Sequence, residues 1–293
     1  MTRLRAPLTA LALTASLALA ACGSPTDTPS GSTSPSASGS GSTKACAKDS
    51  LATVTKGKLT IGTDKPAYPP WFVDDDPSNG KGYESAVAYA VAEQLGFTKD
   101  EVTWVVVPFD AAIAPGKKAF DFDINQVSIS DERKGAVDFS SGYYDVRQTV
   151  ISYKGSPIDG KKAVADLAGA KLGAQVGTTS YDAIVEQIKP TTKPMVYNSN
   201  DLAVQALKNK TIDGIVVDLP TAFYMTAAQL DDGVIVGQLP ASSGAVEQFG
   251  AVLDKGSPLT GCVASAVDAL RDGGVLADLA TQWLAGQGAP ELE

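Results

Sequence analysis

The sequence predicts an α/β fold of two lobes joined by two crossings, and three observations lead there. From Lys58 onward, short β-leaning runs alternate with helical patterns, as in sheets flanked by helices. Several runs end on polar or glycine-containing segments, at Asp64, at Gly177 to Ser180 and at Asp218, the ends where open α/β sheets bind ligands. Two longer extended runs, Val146 to Tyr153 (VRQTVISY) and Gln248 to Leu253 (QFGAVL), bracket a middle block as candidate crossings. The 293 residues, 44% hydrophobic and 19% charged, are an ordinary globular mixture long enough for two domains.

Taken in order, Met1 to Ala21 carries Arg3 and Arg5, an uncharged Ala- and Leu-rich run, and small residues before Cys22. That is the pattern of a secretory signal, too short for a stable membrane span. Leu19-Ala20-Ala21-Cys22 matches the bacterial lipobox, which implies cleavage before Cys22 and diacylglycerol on its sulfur. Residues 22–45 then read as a lipidated cysteine and a tether, because Gly23 to Thr43 is almost entirely Gly, Ser, Thr, Pro and Ala and cannot bury a core. As a flexible coil its ends lie on the order of 25 Å apart. With Cys22 lipidated, Cys46 and Cys262 are an even remainder in an exported, oxidising setting. They are expected to form a disulfide from the start of the folded body to its C-terminal helical region.

Leu59 to Thr63 reads as a short strand ending at Asp64. Tyr83 to Leu95 places Tyr83, Val87, Ala90, Val91 and Leu95 on one helical face, with Gly96 as terminator. Val102 to Val107 reads as a buried strand. Further strands lie around Lys171 to Val176 and Ile212 to Val217, leading into the helical segments Tyr181 to Ile188 and Thr221 to Leu230. Between them, the apolar approach Phe122 to Ile129 runs into Ser130, a good helix N-cap, and Arg133 falls in the first turn. A cation opposes the helix dipole there and calls for an anionic partner. Asp131, Glu132 or Asp138 on a solvated surface is one candidate, and a bound carboxylate matched to the guanidinium fork is another.

Charge and composition narrow the function. The net charge is −9, and removing Arg3 and Arg5 leaves 22 basic against 33 acidic residues, or −11. Nucleic acid and anionic membrane surfaces are poor partners for such a body. The chain has no histidine, which excludes Ser-His-Asp triads and the commonest metal ligand.

The stretch Phe120 to Tyr144, FDFDINQVSISDERKGAVDFSSGYY, resembles the polar amino acid-binding members of the bacterial solute-binding proteins, family 3, in which an FDxxxxxxxxTPER segment leads to VDFSxPYY. The resemblance runs from about Lys58 to Leu284. It implies a periplasmic-binding-protein-like fold of type II. Residues 46–145 with 246–293 would be one lobe and 146–245 the other, closing on a ligand like a clamp.

A free amino acid brings a carboxylate, an ammonium and a side chain, and burying it requires partners for both charges. The resemblance matches Ser128 and Arg133 to the family's carboxylate clamp and Thr179 to its second-lobe amide donor. Gly177-Thr178-Thr179-Ser180 follows a strand and opens a helix, where backbone N–H groups gather an anion, although an ordinary helix cap has the same look. Asp218, before Leu219-Pro220, matches the aspartate that binds the α-amino group, and it is equally a good N-cap. Asp64 matches a residue facing the ligand side chain, with a local Asx-turn as the alternative. Tyr68 and Phe109 match the rings around the ligand's stem, while Trp71, Phe72, Tyr143 and Tyr144 read as packing.

Three departures bear on ligand choice. Asn125-Gln126 replaces the family's Ser-Gly, removing a glycine where backbone approaches ligand. Either the backbone contact survives with the side chains turned away, or Asn125 and Gln126 enter the pocket. An extra residue stands in Asp64 to Tyr68, and Glu84 replaces the Asp of the GFD motif. With Asp218 and Arg133 taking the ligand's charges, Asp64 and Glu84 leave acid near the side-chain end, which favours a polar neutral or cationic amino acid. The resemblance implies an amino acid ligand and ABC-type permease subunits as partners. It also implies a monomer held at the outer face of the cytoplasmic membrane by its lipid, without cofactor, metal or catalysis. An enzyme resembling the cyclohexadienyl dehydratases, with Asp64, Glu84 or Asp218 as acid or base, is the alternative, and an amino acid sensor with a signalling partner is a third.

Overall fold

The structure is a computed structural model and describes residues 46–241, 246–284 and 288–293. The expected signal, lipobox cysteine and tether lie outside the described residues. The first sheet is built on β1 (Leu59–Thr63), which is buried at all five positions. It pairs in parallel with β2 (Val102–Val106) on one side and β3 (Phe122–Asp123) on the other. Antiparallel β10 (Gln248–Leu253) and β4 (Asp138–Asp145) complete the order β2-β1-β3-β10-β4. Helix α1 (Tyr83–Gln94) begins at Gly82, whose φ of 96° suits glycine; a Cβ there would stand 2.4 Å from the Trp71 carbonyl oxygen. Tyr83, Val87 and Val91 are buried along it, Ala90 partly so, and the chain turns at Gly96 with φ 84°. Trp71 meets Tyr144 and Phe249 edge-on at 5.5 and 5.6 Å, joining the loop after β1 to β4 and β10.

The second sheet has the order β7-β6-β8-β5-β9, formed by β5 (Gln148–Tyr153), β6 (Leu172–Gln175), β7 (Met195–Tyr197), β8 (Gly214–Asp218) and β9 (Gly233–Gln238). Two separate apolar clusters cover it, one containing Val150, Leu172 and Val216 and the other Ile151, Leu207 and Ile215. Buried on both faces, Ile215, Val216 and Val217 form the near-continuous apolar run expected of an interior strand. The predicted helices after β6 and β8 are α4 (Thr179–Ala183) and α6 (Leu219–Tyr224), each continued by a π-helical turn, Ile184–Ile188 and Met225–Gln229. Between them lies α5 (Asn200–Lys208), capped by the Ser199 hydroxyl accepting from the Leu202 amide.

Four expectations are corrected. Val102 to Val106 is the edge strand, not a buried one, and Val106 is 65% exposed; an apolar run alone does not distinguish edge from interior. Val146 to Tyr153 and Gln248 to Leu253 are not free crossings. All but the first two residues are strands inside the two sheets, and the crossings are the connections at their ends, with the Val146 amide donating to the Glu247 carbonyl oxygen at 2.9 Å. The C-terminal residues do not all join the first lobe. Leu292 is 2% exposed in the second-sheet core, and its amide donates to the Gln238 carbonyl oxygen at 2.9 Å. A single leucine after a Gly/Pro-containing tail gives no periodic signal of this docking. The fourth is Glu84, which is buried in the first lobe and does not line the cavity between the lobes.

The expected disulfide is present. Cys46 and Cys262 are bonded at 2.05 Å across a sequence separation of 216, fixing the start of the described chain to α7 (Thr260–Asp272). Helix α8 (Val275–Leu284) packs beside it.

Candidate functional site

The two lobes face one another across a cavity of about 80 Å³. By the same measure a water needs about 10–15 Å³, so the space suits a solute of several heavy atoms and excludes a polymer strand. Its walls are the carboxyl ends of β1 and β8, the loop after β3, and α3 (Asp131–Lys134) with the turn before α4.

Arg133 is held from both lobes. Ser130 caps α3, its hydroxyl accepting from the Arg133 amide at 3.2 Å. The guanidinium donates to the Ser128 carbonyl oxygen at 2.6 Å and to the Gly177 carbonyl oxygen at 2.8 Å, and it lies 5.5 Å from the Phe109 ring centre. Two of the three surface acids weighed as its partners are paired with lysines. Asp131 pairs with Lys134 and Asp138 with Lys255, both at 3.1 Å, and Arg133 is in none of the salt bridges among the described residues. Burial weakens the Arg133 cation, while Glu247, Asp182 and Asp218 act to keep it charged.

Opposite Arg133 stand the hydroxyls of both lobes. Ser128 Oγ is 3.2 Å from Thr179 Oγ1, and Thr179 Oγ1 donates to Glu247 Oε1 at 2.6 Å. Thr178 occupies the N-cap of α4, but its side chain donates to the Gln175 carbonyl oxygen and does not cap the helix. Asp218 likewise stands at the N-cap of α6 without a side-chain capping bond. Its carboxylate accepts instead from Gln148 Nε2 at 3.0 Å. Asp218 keeps some exposed surface because it faces the cavity, yet protein surrounds it on every other side. Burial pushes its carboxyl well above the ordinary value of 3.8, and Glu247 pushes the same way; Gln148 and Arg133 oppose them.

Asp64 lies at the cavity with both oxygens on backbone amides, Lys65 at 2.7 Å and Phe109 at 3.1 Å. Neither bond is that of an Asx-turn, which uses the amide two residues on; the carboxylate instead ties the end of β1 to the Phe109 backbone. Tyr68 forms the opposite wall, its ring 5.7 Å from that of Tyr224. Ser128, Asn125, Gln126, Thr178 and Thr179 also line the cavity.

Glu84 does not line it, and this corrects the expectation that it faces the ligand. It is fully buried behind Gln126 and accepts from the Gln126 amide at 2.7 Å, from Gln126 Nε2 and from the Tyr143 hydroxyl. Burial raises its pKa to about 7 against these three bonds, which pull it down. Gln126 has φ 49°, so it keeps the left-handed backbone for which the family's glycine is suited. Its side-chain amide turns to Glu84, away from the alternative of reaching into the pocket. Asn125 differs: it is 8% exposed, lines the cavity, and its Nδ2 has no hydrogen-bond partner in the protein.

Sequence reasoning missed three residues. Gln148, 4% exposed at the start of β5, donates to Asp218 and approaches Thr179 Oγ1 at 3.3 Å and Glu247 at 3.3 and 3.4 Å. Its Oε1 accepts from the Ser180 hydroxyl at 2.7 Å. Glu247 comes from the other crossing, and Asp201 from α5. A glutamine heading the buried strand QTVISY was the one available signal, for Gln148 alone.

The model of bacterial extracellular solute-binding proteins, family 3, matches residues 59–286. The chain belongs to this family. It is 30% identical over 228 residues to an L-arginine-binding protein of Pseudomonas aeruginosa, covering 73% of this chain and 86% of that one. To the L-cystine-binding protein TcyJ of Escherichia coli (strain K12) it is 29% identical over 245 residues, covering 82% and 88%. Among solved structures, it superposes with a TM-score of 0.61 on an ancestral amino acid-binding protein described as a precursor of cyclohexadienyl dehydratase. That match has 29% identity and covers 78% of this chain and 95% of that one. The family membership and the two mixed sheets identify a type II periplasmic-binding-protein fold.

Proposed function

We propose that this protein captures a free polar amino acid between its lobes and delivers it to the permease of an ABC-type importer. The observation that carries the reading is the opposition of Arg133 and Asp218 in one small cavity, each contributed by a different lobe. Arg133, the Ser128 hydroxyl and the Thr178–Thr179 turn receive the α-carboxylate, and Asp218 receives the α-ammonium. Tyr68 and Phe109 flank the side chain, whose far end meets Asp64 and Asn125. The family's fold and the amino acid-binding relatives support it.

Charge sets the preference within that class. Asp218, Asp64 and Glu247 outnumber Arg133 around the cavity, so an acidic side chain meets like charge. A neutral or cationic amino acid is the proposed ligand. Thermal-shift screening of the twenty amino acids with ornithine, citrulline and cystine, followed by calorimetry, tests it. Arg133→Ala and Asp218→Ala should each weaken binding at least about a hundredfold, since each leaves a buried ligand charge unpaired. Unchanged affinity in both variants removes the site, and micromolar or tighter binding of glutamate or aspartate removes the charge preference.

The ancestral dehydratase precursor gives the enzyme reading its one specific support. The two most deeply buried acids, Glu84 and Asp123, do not line the cavity, which favours capture over catalysis. Mass analysis after incubation with cyclohexadienyl acids checks this, and turnover would reverse it. Cys22 is the proposed lipid attachment, placing a monomeric body at the outer face of the cytoplasmic membrane through the tether. A palmitate analogue fed to cells should label the protein and fail to label Cys22→Ala; persistent label would put the anchor elsewhere.

A further inference from the structure

One bond across the cleft involves neither Arg133 nor Asp218. The Tyr68 hydroxyl, from the loop after β1, donates to Asp201 Oδ2 at 2.5 Å, in the first turn of α5 in the other lobe. The second oxygen of Asp201 accepts from Gln229 Nε2 at 2.9 Å. Gln229 ends the π-helical turn that continues α6, the helix that starts after Asp218, and Tyr224 of α6 faces the Tyr68 ring at 5.7 Å. A second contact crosses nearby, Trp71 Nε1 donating to Thr221 Oγ1 at 3.2 Å. Tyr68 is thus a wall of the cavity whose hydroxyl is fixed by a carboxylate of the facing lobe, itself oriented by the helix that carries the proposed ammonium site. A hydrogen bond to a charged acceptor is among the stronger ones, and this one exists only when the lobes are together.

We infer that Asp201 is a positioning residue for ligand retention: on closure it takes the Tyr68 hydroxyl as a latch, fixes the ring against the side-chain end of the cavity, and slows ligand release. Because the latch forms after encounter, it acts on the dissociation rate and leaves the association rate unchanged. Asp201 itself does not touch the ligand. The inference rests on the cavity being the amino acid site.

The test is stopped-flow kinetics on the full folded body, with whichever of L-arginine, L-histidine and L-cystine binds wild type most tightly as probe. Asp201→Ala and Tyr68→Phe are each expected to raise the dissociation rate about tenfold. The double variant should match either single, because both remove one bond. Asp201→Asn, which keeps an oxygen acceptor, should recover part of the loss. Melting temperatures measured alongside separate retention from general destabilisation. Unchanged dissociation in Asp201→Ala overturns the latch, as do single effects that multiply in the double variant or a rate that only follows melting temperature. Arg133→Ala distinguishes the two levels. If that variant loses the probe while Asp201→Ala holds it as wild type does, only the latch falls. If none of the three binds wild type, the tightest-binding amino acid of the thermal-shift screen serves as probe; if no amino acid of that screen binds, the site reading falls and the latch with it.

Discussion

Glu84 in the first lobe and Asp218 in the second are both carboxyls that burial raises above their ordinary values, yet their surroundings differ. Glu84 accepts three hydrogen bonds from its own lobe, including the backbone amide and side chain of Gln126. Asp218 accepts one, from Gln148, and has Glu247 as a like charge nearby. A buried charge is tolerated when hydrogen bonds surround it and is costly when they do not. The first lobe thus spends its acid on fixing the backbone turn that lines the cavity. The second leaves its acid short of donors and facing open space, the condition in which a ligand ammonium gains most. Asp123, close enough to β1 that a Cβ on Gly62 would lie 2.6 Å from its Oδ2, is a third case. Neither of its oxygens meets a protein partner, and burial pushes its pKa well above 3.8.

The largest effect that sharpens this contrast is the pH dependence carried by Glu84. Its folded pKa of about 7 stands above the ordinary 4.5, so the folded protein holds the proton more tightly than the unfolded chain. The sign follows: the stability is fully present below about pH 4.5, is lost as pH rises toward 7, and changes no further above that. The loss is on the order of 3 kcal/mol if the whole shift is realised. In Glu84→Gln the group no longer titrates, so urea melts from pH 4.5 to 7.5 should show the wild-type curve falling relative to the variant. Parallel curves would mean that the three hydrogen bonds cancel the cost of burial. The variant's carbonyl can keep the two bonds made at Oε1, but its NH₂ faces the Gln126 Nε2 donor, so its stability at pH 4.5 should be lower than wild type.

The sheets and the disulfide were legible because their signals are local or countable. β1 is a continuous apolar run with a clear end, α1 has period-3.6 burial and a glycine stop, and two cysteines remained once the third was assigned. Arg133 was legible as an anomaly, a cation at a helix start, before it had a partner. What the sequence hid depends on side chains meeting across the fold. Glu84 and Gln126 are 42 residues apart and Tyr68 and Asp201 are 133 apart, and no periodicity relates either pair. Nor could β2 be recognised as an edge, since edge position belongs to the sheet and not to the strand's own residues. For Gln126 the loss of glycine left two outcomes open, and a buried carboxylate behind the turn decides between them.

A smaller effect tests the second lobe's side of the contrast through Gln148. One neutral amide donates to Asp218 and approaches Thr179 and Glu247, groups supplied by β8, the first turn of α4 and the second crossing. Gln148→Leu keeps the volume roughly but leaves Asp218 without its donor and Ser180 without its acceptor. The cost should be about 2 kcal/mol, the usual consequence of leaving buried polar groups without their partners. Since Gln148 opposes the rise in the Asp218 pKa, its removal raises that pKa further and extends the loss of stability to higher pH. The part of the deficit due to Asp218 should therefore shrink as pH falls through its folded pKa, which lies well above 3.8; the unfolded value is common to both proteins and cancels in the difference. A deficit independent of pH would mean that Gln148 matters for packing alone. One that shrinks with acid would instead assign it to holding apart the two acids at the base of the cleft.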